Sequence, residues 1–259
     1  MRALALAAGL GFALLAGPAV APAQEATPPL PKQAWPFDGV FGAFDRAAAQ
    51  RGFQVYNSVC ANCHALHLVA YGDLGPAGPG GGLGFNLDQV KAIAAAKQVP
   101  DTNDQGEATM RAALPADHFV SPFANEKAAR AANNSALPPD LSVIVKAREG
   151  GADYLYALLT GYKEPPADIK LGEGMNYNEF FPGHQIAMPQ PINDNSVTYD
   201  DGTPATLDQE AYDLVNFLAW AAEPTLEERH RTGIKVILFL LVMTGILYAG
   251  KRRIWAAVH

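Results

Sequence analysis

Two cysteines and a histidine stand within five residues of one another, in the order Cys60-Ala61-Asn62-Cys63-His64. This Cys-x-x-Cys-His spacing is typical of c-type haem attachment, in which both thiols add to the vinyl groups and the next imidazole binds the iron. The chain has 2 Cys, so a disulfide is one alternative. A redox-active dithiol would need a surrounding βαβ pattern, and a zinc site would need further Cys or His ligands at short spacing. The sequence has neither pattern, and the motif therefore predicts one covalently bound haem c.

An electron-transfer haem with two axial ligands needs a second ligand besides His64. The candidates away from both ends of the chain are Met110, Met175, Met188, His118 and His184. We favour Met188, because a loop stiffened by proline can hold a thioether at a fixed distance from iron. The prolines around it are Pro182, Pro189 and Pro191. Met175 lacks such neighbours and is the second choice, and His184 is interpreted as a loop or haem-edge residue.

The segment ahead of Cys60 must position the motif. Small or apolar residues recur there at helical spacing, at Ala48, Ala49, Gly52, Tyr56 and Val59. They predict a helix leading into the haem site, with room at Gly52 for a second helix to cross closely. Further helices are predicted at Leu87–Lys97, Leu141–Arg148, Gly151–Gly161 and Leu207–Ala222, with a helical turn at Asn125–Asn133. Thr206 and Gln209 form a capping box for the helix that starts at Leu207.

Long irregular connections are predicted between these helices, as the 24 Gly and 20 Pro indicate. We expect an extended surface segment at Thr27–Pro36, a Gly-rich loop at Tyr71–Phe85, an inserted surface loop at Pro100–Phe123 and a hairpin at Val197–Thr203. The fold class is therefore mainly α, a cytochrome c-like haem domain with long loop insertions plus one C-terminal transmembrane helix.

The N-terminus has the pattern of a secretory signal peptide at residues 1–23. A short basic start, Met1-Arg2, precedes an apolar run rich in Ala, Leu and Gly, and Ala21 and Ala23 suit signal peptidase. The remainder, residues 24–232, is predicted to be one exported haem domain.

The C-terminal part has the pattern of a membrane anchor. The stretch from Ile234 to Gly250 is apolar apart from Lys235, and about 18 helical residues span about 27 Å, just enough for a hydrocarbon core. We place the transmembrane helix at 233–250 and a cytoplasmic tail at 251–259, because a basic cluster follows the span. A capping box of Thr225 and Glu228 is predicted to open this helix. This orientation predicts a single-pass protein of a bacterial inner membrane, with a periplasmic haem domain and with membrane lipid as a partner of the anchored chain.

The exported part is strongly acidic. Four of the 19 basic residues lie in the predicted signal peptide or tail, which leaves 15 against 26 acidic residues. Such a surface repels nucleic acid and attracts basic partners, although acidity also serves solubility. Two acidic groups stand out: Asp200, Asp201, Asp208, Glu210 and Asp213, and then Glu223, Glu227 and Glu228.

Several ordered sequence pieces from about Trp35 onward resemble the cytochrome c1 family, the haem subunits of ubiquinol:cytochrome c oxidoreductase (the cytochrome bc1 complex). The pieces are Arg51-Gly-Phe-Gln-Val-Tyr, Cys60 to His64, Ala128-Ala-Arg-Ala-Ala-Asn-Asn, Leu137-Pro-Pro-Asp-Leu-Ser, Leu158-Leu-Thr-Gly-Tyr, Ile186-Ala-Met-Pro, Asp200-Asp-Gly-Thr-Pro-Ala-Thr and Trp220-Ala-Ala-Glu-Pro. Together they are far more specific than the haem motif alone.

The resemblance implies a role for each matching site residue. His64 and Met188 would be the axial ligands, and Arg130 would lie near a haem propionate, where a guanidinium compensates the carboxylate charge. Ser135 stands where the family usually has Gly after Asn-Asn, so its backbone either avoids a positive φ or adopts it with strain. Some bacterial members have an additional disulfide near the Met ligand, for which this chain has no Cys.

The resemblance also implies partners. The electron would arrive from the Rieske iron-sulfur protein and leave to a soluble or tethered c-type cytochrome, with cytochrome b beside the anchor helix. The chain would then be a redox subunit and no enzyme on its own, because two axial ligands leave no open iron position. The alternatives are a membrane-anchored c-type cytochrome subunit of another periplasmic redox complex, a haem peroxidase and a gas sensor.

Overall fold

A computed structural model describes residues 28–78 and 81–256, so the predicted signal peptide at 1–23 and the end of the predicted tail lie outside it. The described part is mainly α-helical, as predicted, and it also contains two short antiparallel hairpins that the sequence does not predict. The helices are α1 Arg46–Ser58, α2 Leu87–Ala95, α3 Glu126–Ala132, α4 Gly151–Thr160, α5 Leu207–Ala222 and α6 Leu226–Trp255. The strands are β1 Gln98–Thr102, β2 Ala108–Ala112, β3 Asn176–Tyr177 and β4 Gln185–Ile186.

Helices α1 and α5 cross in close contact at Gly52. A Cβ on Gly52 would collide with the carbonyl oxygen of Asp213 and lie 2.8 Å from the Cβ of Phe217. Beside this crossing, Arg51 forms two hydrogen bonds to the Asp213 carboxylate, of 2.8 and 3.0 Å. The Asp213 side chain is fully buried, and a buried charge is stable only with such a partner. The prediction that Gly52 admits a crossing helix is therefore confirmed.

Aromatic side chains fill the core around this crossing. The Phe217 ring of α5 lies 5.7 Å from Phe53 and 5.5 Å from Tyr56, both on α1. Trp220, also on α5, is fully buried, and its Nε1–H donates to the carbonyl oxygen of Gly81 over 2.6 Å. This bond fixes the predicted Gly-rich loop against the end of α5.

The segment ahead of α1, which the sequence predicts as extended over Thr27–Pro36, has no helix or strand from residue 28 to residue 35 and contacts the start of α4. Asp153, on the first turn of α4, accepts hydrogen bonds from Lys32 Nζ, from the Gln33 backbone N–H and from Trp35 Nε1. The Trp35 ring also stacks on Tyr212 of α5, with centroids 5.1 Å apart. One buried carboxylate thus holds this extended segment on the helical core.

The predicted helix at Leu141–Arg148 is wrong, because the chain forms consecutive turns there. The Leu141 N–H donates to the carbonyl oxygen of Ala65, over 2.9 Å. The hydroxyl of Ser142 accepts from the backbone N–H of Leu68, over 3.0 Å. These bonds to the loop after His64 hold the segment in turns and replace the expected helical pattern.

Two predictions about strands are also wrong. The insertion at Pro100–Phe123 is no plain loop, because β1 and β2 pair with Pro100 opposite Met110, closed by a turn in which Gly106 has φ 84°. In contrast, Val197–Thr203 forms no strands, and its turn lies at Asp200-Asp201, closed by the Gly202 N–H donating to the Tyr199 carbonyl oxygen over 3.1 Å. The Val197 N–H donates to buried Glu210 instead of to a facing strand, over 3.1 Å.

Helix α6 is continuous from Leu226 to Trp255, 30 residues, and is long and apolar enough to cross a membrane. It follows α5 after three residues. The predicted capping box is wrong, since the Thr225 side chain makes no capping hydrogen bond. Of the predicted capping box of α5, the Thr206 half is confirmed, with its hydroxyl accepting from the Gln209 N–H over 3.2 Å, whereas the Gln209 side chain donates to Asp213 over 3.0 Å.

We predict that Gly52→Ala lowers the free energy of unfolding by about 1–3 kcal/mol, because an added methyl group must push α1 away from α5. Thermal unfolding followed by circular dichroism measures the change. Gly78→Ala is the matched control, since a Cβ there meets no atom within 4 Å. Equal stabilities of the two variants would show that the crossing tolerates a wider spacing.

Candidate haem site

The Cys60–His64 motif lies immediately after α1. Val59 ends the helix, and a single 3₁₀ turn, Cys60–Asn62, follows. The N–H groups of Cys63 and His64 both donate to the carbonyl oxygen of Cys60, over 3.1 and 2.8 Å. Cys60 is buried and Cys63 is exposed. The two thiols and the imidazole therefore leave one tight turn of chain, as the motif predicts.

Cys60 does not have the properties of the nucleophile in a reactive dithiol. Burial raises the pKa of the Cys60 thiol to about 12. Redox-active Cys-x-x-Cys pairs have instead a lowered pKa, since the thiolate is the nucleophile. The geometry thus favours haem attachment over disulfide exchange.

One backbone carbonyl orients the His64 ring. His64 Nδ1 lies 2.8 Å from the carbonyl oxygen of Pro139. A carbonyl can only accept, so Nδ1 carries the proton and Nε2 presents its lone pair. Burial also lowers the pKa of His64 below its usual 6.5, which favours the neutral ring. A neutral imidazole with a fixed tautomer is the form that binds a metal.

Hydrogen bonds join the loop after His64 to the segment that contains Pro139. The carboxylate of Asp140 accepts from the His67 N–H over 2.9 Å and lies 2.7 Å from His67 Nδ1. Burial raises the pKa of Asp140, but the hydrogen bonds from Ser142 and His67 together lower it by more, so the pKa lies below its usual value. This carboxylate therefore stays ionised and holds the carbonyl of Pro139 in place.

A mostly apolar pocket of about 340 Å³ opens beside Cys63. Its walls include Ala65, Phe123, Ala129 and Leu137, from three separate segments of the chain. An apolar wall next to the Cys63 thiol suits the flat hydrophobic body of a porphyrin. The residues present therefore fit a covalently attached haem.

The loop that carries Met188 is held by its own carbonyl oxygen. The hydroxyl of Tyr162 donates to Met188 O over 3.1 Å, and Asn176 Nδ2 lies 3.4 Å from the same atom. Hairpin β3–β4 ends two residues earlier, at Ile186. Met188 itself is half-buried. Sequence reasoning missed Tyr162 and Asn176, which are 26 and 12 residues away along the chain.

His184 lies in the same loop but is occupied by local contacts. It is buried with φ 58°, a left-handed conformation that is uncommon outside glycine. Its ring stacks on Tyr177 with centroids 5.8 Å apart, and Nδ1 lies 3.3 Å from the carbonyl oxygen of Asn178. These contacts support its interpretation as a loop residue.

The remaining candidate ligands lie in different surroundings. Met175 is half-buried and lines a second pocket, of about 470 Å³, together with Tyr162 and Gln190. Met110 is 57% exposed on β2, and His118 is exposed in a bridge to Ala70. Met175 therefore remains the main competitor of Met188.

Arg130 is exposed on α3, next to Ala129 in the pocket wall. Its Nη1 donates to the carbonyl oxygen of Ser135 over 3.2 Å. Ser135 has φ 66° and Asn134 φ 48°, so two consecutive non-glycine residues adopt the left-handed conformation. The serine thus adopts the conformation for which glycine is the natural residue, at a cost of about 1–2 kcal/mol.

Comparisons with known proteins agree with this site. Residues 35–258 match the model of the Cytochrome C1 family. The chain is 47% identical to "Cytochrome c1 1, heme protein, mitochondrial" of Arabidopsis thaliana, over 100% of this chain and 83% of that protein. It is 45% identical to "Cytochrome c1" of Rhodospirillum rubrum, over 99% of this chain and 97% of that protein. With a haem-binding motif, a membrane-length helix and full-length similarity of this kind, the chain belongs to the cytochrome c1 family and carries haem c.

Proposed function

We propose that this chain is the electron-transfer haem subunit of a ubiquinol:cytochrome c oxidoreductase. The family supports a haem subunit of the cytochrome bc1 complex. One observation carries the proposal. The turn that follows α1 brings the Cys60 and Cys63 thiols close to His64, whose ring has its tautomer fixed by the Pro139 carbonyl. The bound haem supplies a one-electron redox couple.

In this proposal each site residue has one task. Cys60 and Cys63 form the two thioether bonds, and His64 and Met188 are the axial ligands. The carbonyl of Pro139 orients the imidazole, and Tyr162 holds the Met188 backbone. Two protein ligands leave no open iron position, so the chain does no bond chemistry of its own, unlike a peroxidase or a gas sensor.

Cytochrome b is the proposed neighbour of α6. The chain is 44% identical to "Cytochrome b/c1" of Bradyrhizobium diazoefficiens, over 92% of this chain but 37% of that protein. A single polypeptide that carries both names keeps the two parts together in the membrane. We infer the same neighbourhood for this chain, with α6 packed against cytochrome b.

The direction of electron flow follows from the same assignment. We infer that the Rieske iron-sulfur protein is the donor and a soluble or tethered c-type cytochrome is the acceptor. The basic cluster at 251–253 after the apolar stretch supports a cytoplasmic C-terminus and a periplasmic haem domain. A c-type subunit of another periplasmic redox complex is the alternative, and the subunits that copurify with the chain from native membranes would distinguish the two.

We predict that Met188→Leu leaves haem attached, because attachment depends on Cys60 and Cys63 alone. Loss of the thioether should lower the reduction potential, since methionine ligation raises it. It should also open the iron to carbon monoxide. Redox titration and the absorption spectrum of the reduced protein with carbon monoxide measure both effects, whereas the unmodified protein should not respond to the gas.

Met175→Leu is the matched control for that experiment, since it removes the competing thioether from the neighbouring pocket. It should leave the potential and the carbon monoxide response unchanged. A normal potential in Met188→Leu together with a lowered one in Met175→Leu would assign the ligand to Met175.

We predict that Arg130→Ala lowers both the thermal stability of the haem pocket and the reduction potential more than Lys127→Ala does. Both residues lie exposed on α3, so the comparison controls for loss of positive charge. Stability alone would not prove a propionate role, because Arg130 also bonds to Ser135. Equal reduction potentials in the two variants would show that Arg130 does not compensate the propionate charge. Another cation, such as Arg148 in the segment after Pro139, would then be the candidate.

We predict that reduction of a basic soluble cytochrome c slows steeply as salt rises, because exposed charges are screened over about 8 Å at physiological salt. Steering acts mainly on the association rate. The structure narrows the surface involved, since several acidic residues already have partners: Asp201 with Arg51, Glu227 with Arg46, and Glu223 with Lys146 and Arg229. Asp200 is exposed and precedes Asp201 in the chain, so its charge is the first one to reverse.

Asp200→Lys should therefore reduce the association rate, whereas Asp104→Lys, the same charge change in the turn of the β1–β2 hairpin, should not. Transfer from the iron-sulfur donor within the complex should change little in either variant. Insensitivity of acceptor reduction to salt and to Asp200→Lys would mean that the acidity serves solubility.

A further inference from the structure

An exposed apolar tip precedes α1, in the segment that we name the 38–42 loop. Val40 is 68% exposed and Phe41 84% exposed, and Phe41 is the most exposed large hydrophobic residue of the part that the structure describes. Its backbone turns sharply, because Gly39 has φ 79° and a Cβ on Gly42 would collide with the Phe37 carbonyl. Burying such an aromatic side chain would gain about 1.5–3 kcal/mol, so its position in water is unfavourable.

The 38–42 loop is attached to the first two turns of α6. His230 Nδ1 lies 3.3 Å from the carbonyl oxygen of Gly42. The carboxylate of Glu227 accepts from the Phe44 N–H over 2.9 Å and pairs with Arg46 over 3.1 Å. These contacts from both helix turns hold the loop at a fixed height along α6.

That height is the edge of the predicted hydrocarbon core. His230 precedes Ile234, where the apolar stretch begins, by four residues or about 6 Å along the helix axis. Phe41 is bonded to Gly42, so it lies within a few ångströms of the same level. Aromatic side chains at this depth are favourable, because the interface accommodates an apolar ring.

Basic side chains mark the same level of α6. Arg231 and Lys235 are exposed and stand four residues apart, on one face of the helix. Long basic side chains next to a hydrocarbon core pair with lipid phosphates. At the other end, Tyr248 and Trp255 are exposed as well. The 38–42 loop is therefore level with the basic side chains that flank the apolar stretch of α6.

We propose that Val40 and Phe41 enter the lipid interface of the membrane that α6 crosses, as a second membrane contact of the haem domain. The surface of α6 that continues from the loop is apolar, and none of the other residues that the structure describes covers it. Val40 and Phe41 are the exposed large apolar side chains of the loop, and so small a patch suits insertion between lipids better than a broad protein interface. Two contacts, one by α6 and one by the 38–42 loop, fix the tilt of the haem domain above the membrane.

The test uses Phe41→Cys in the full chain, with its copurifying subunits, in lipid nanodiscs. Cys60 and Cys63 are consumed by haem attachment, so the new thiol takes a nitroxide label alone, and labelling of the unmodified protein checks this. Electron paramagnetic resonance power saturation then compares collisions of the label with oxygen, which enters lipid, and with a water-soluble nickel complex. Val40→Cys is the second position, and Met110→Cys, 57% exposed on β2, is the matched aqueous control.

We expect a higher oxygen-to-nickel collision ratio at Phe41 and Val40 than at Met110. A ratio equal to that at Met110 would show that the loop stays in water and overturn the proposal. An immobilised label that neither reagent reaches would also overturn it, because a neighbouring subunit or a second copy would then cover the loop. The haem absorbance of each variant shows that the domain has folded.

Discussion

The missing side chain of Gly52 is the constraint on which most of this structure depends. It lets the backbone of α1 touch the carbonyl of Asp213 on α5, and this closeness allows Arg51 to reach the buried Asp213 carboxylate. Breaking a buried ion pair of this kind costs about 3–5 kcal/mol, so the two helices have one stable relative position. Because Cys60 follows α1 directly and α6 follows α5 after three residues, the same crossing fixes the haem motif relative to the membrane helix. The domain therefore needs no long tether to stay oriented.

The two proposed axial ligands are held in different ways. His64 is fixed through its ring, by a carbonyl that Asp140 and its hydrogen bonds keep in place. Met188 is fixed through its backbone, since its carbonyl accepts from Tyr162 and Asn176 while its side chain remains only half-buried. Burial raises the pKa of Tyr162 far above neutrality, so its hydroxyl stays protonated and keeps donating at any physiological pH. The Met188 thioether has no ionisable proton either. Neither the proposed ligand nor its hydrogen bond from Tyr162 therefore changes with pH in the physiological range.

The sequence predicts what depends on neighbouring residues. Periodic apolar positions located α1, α4 and α5, the Thr206 cap located the start of α5, and the Cys-x-x-Cys-His spacing located the turn after α1. The errors at Leu141–Arg148 and Val197–Thr203 have one physical cause, which is competition from distant partners. A turn does form, but at Asp200-Asp201 and not at the predicted Asp201-Gly202, and buried Glu210 takes the Val197 N–H that a hairpin would use. The β1–β2 hairpin was missed because its strands are largely exposed and therefore carry little apolar alternation.

The same reasoning separates the candidate ligands from their supports. A ligand is visible in a sequence because iron chemistry demands a particular side chain, such as the imidazole of His64. A support such as Pro139 contributes a carbonyl oxygen, which every residue possesses, so its side chain says nothing about the bond. Only the fold, which brings residue 139 to the ring of residue 64, reveals that role. Ser135 shows the converse: its φ of 66° is maintained although serine does not favour it, because the Arg130 side chain and backbone both bond to the same residue. Local preference therefore decides where helices begin, and long-range hydrogen bonds decide which backbone positions surround the haem.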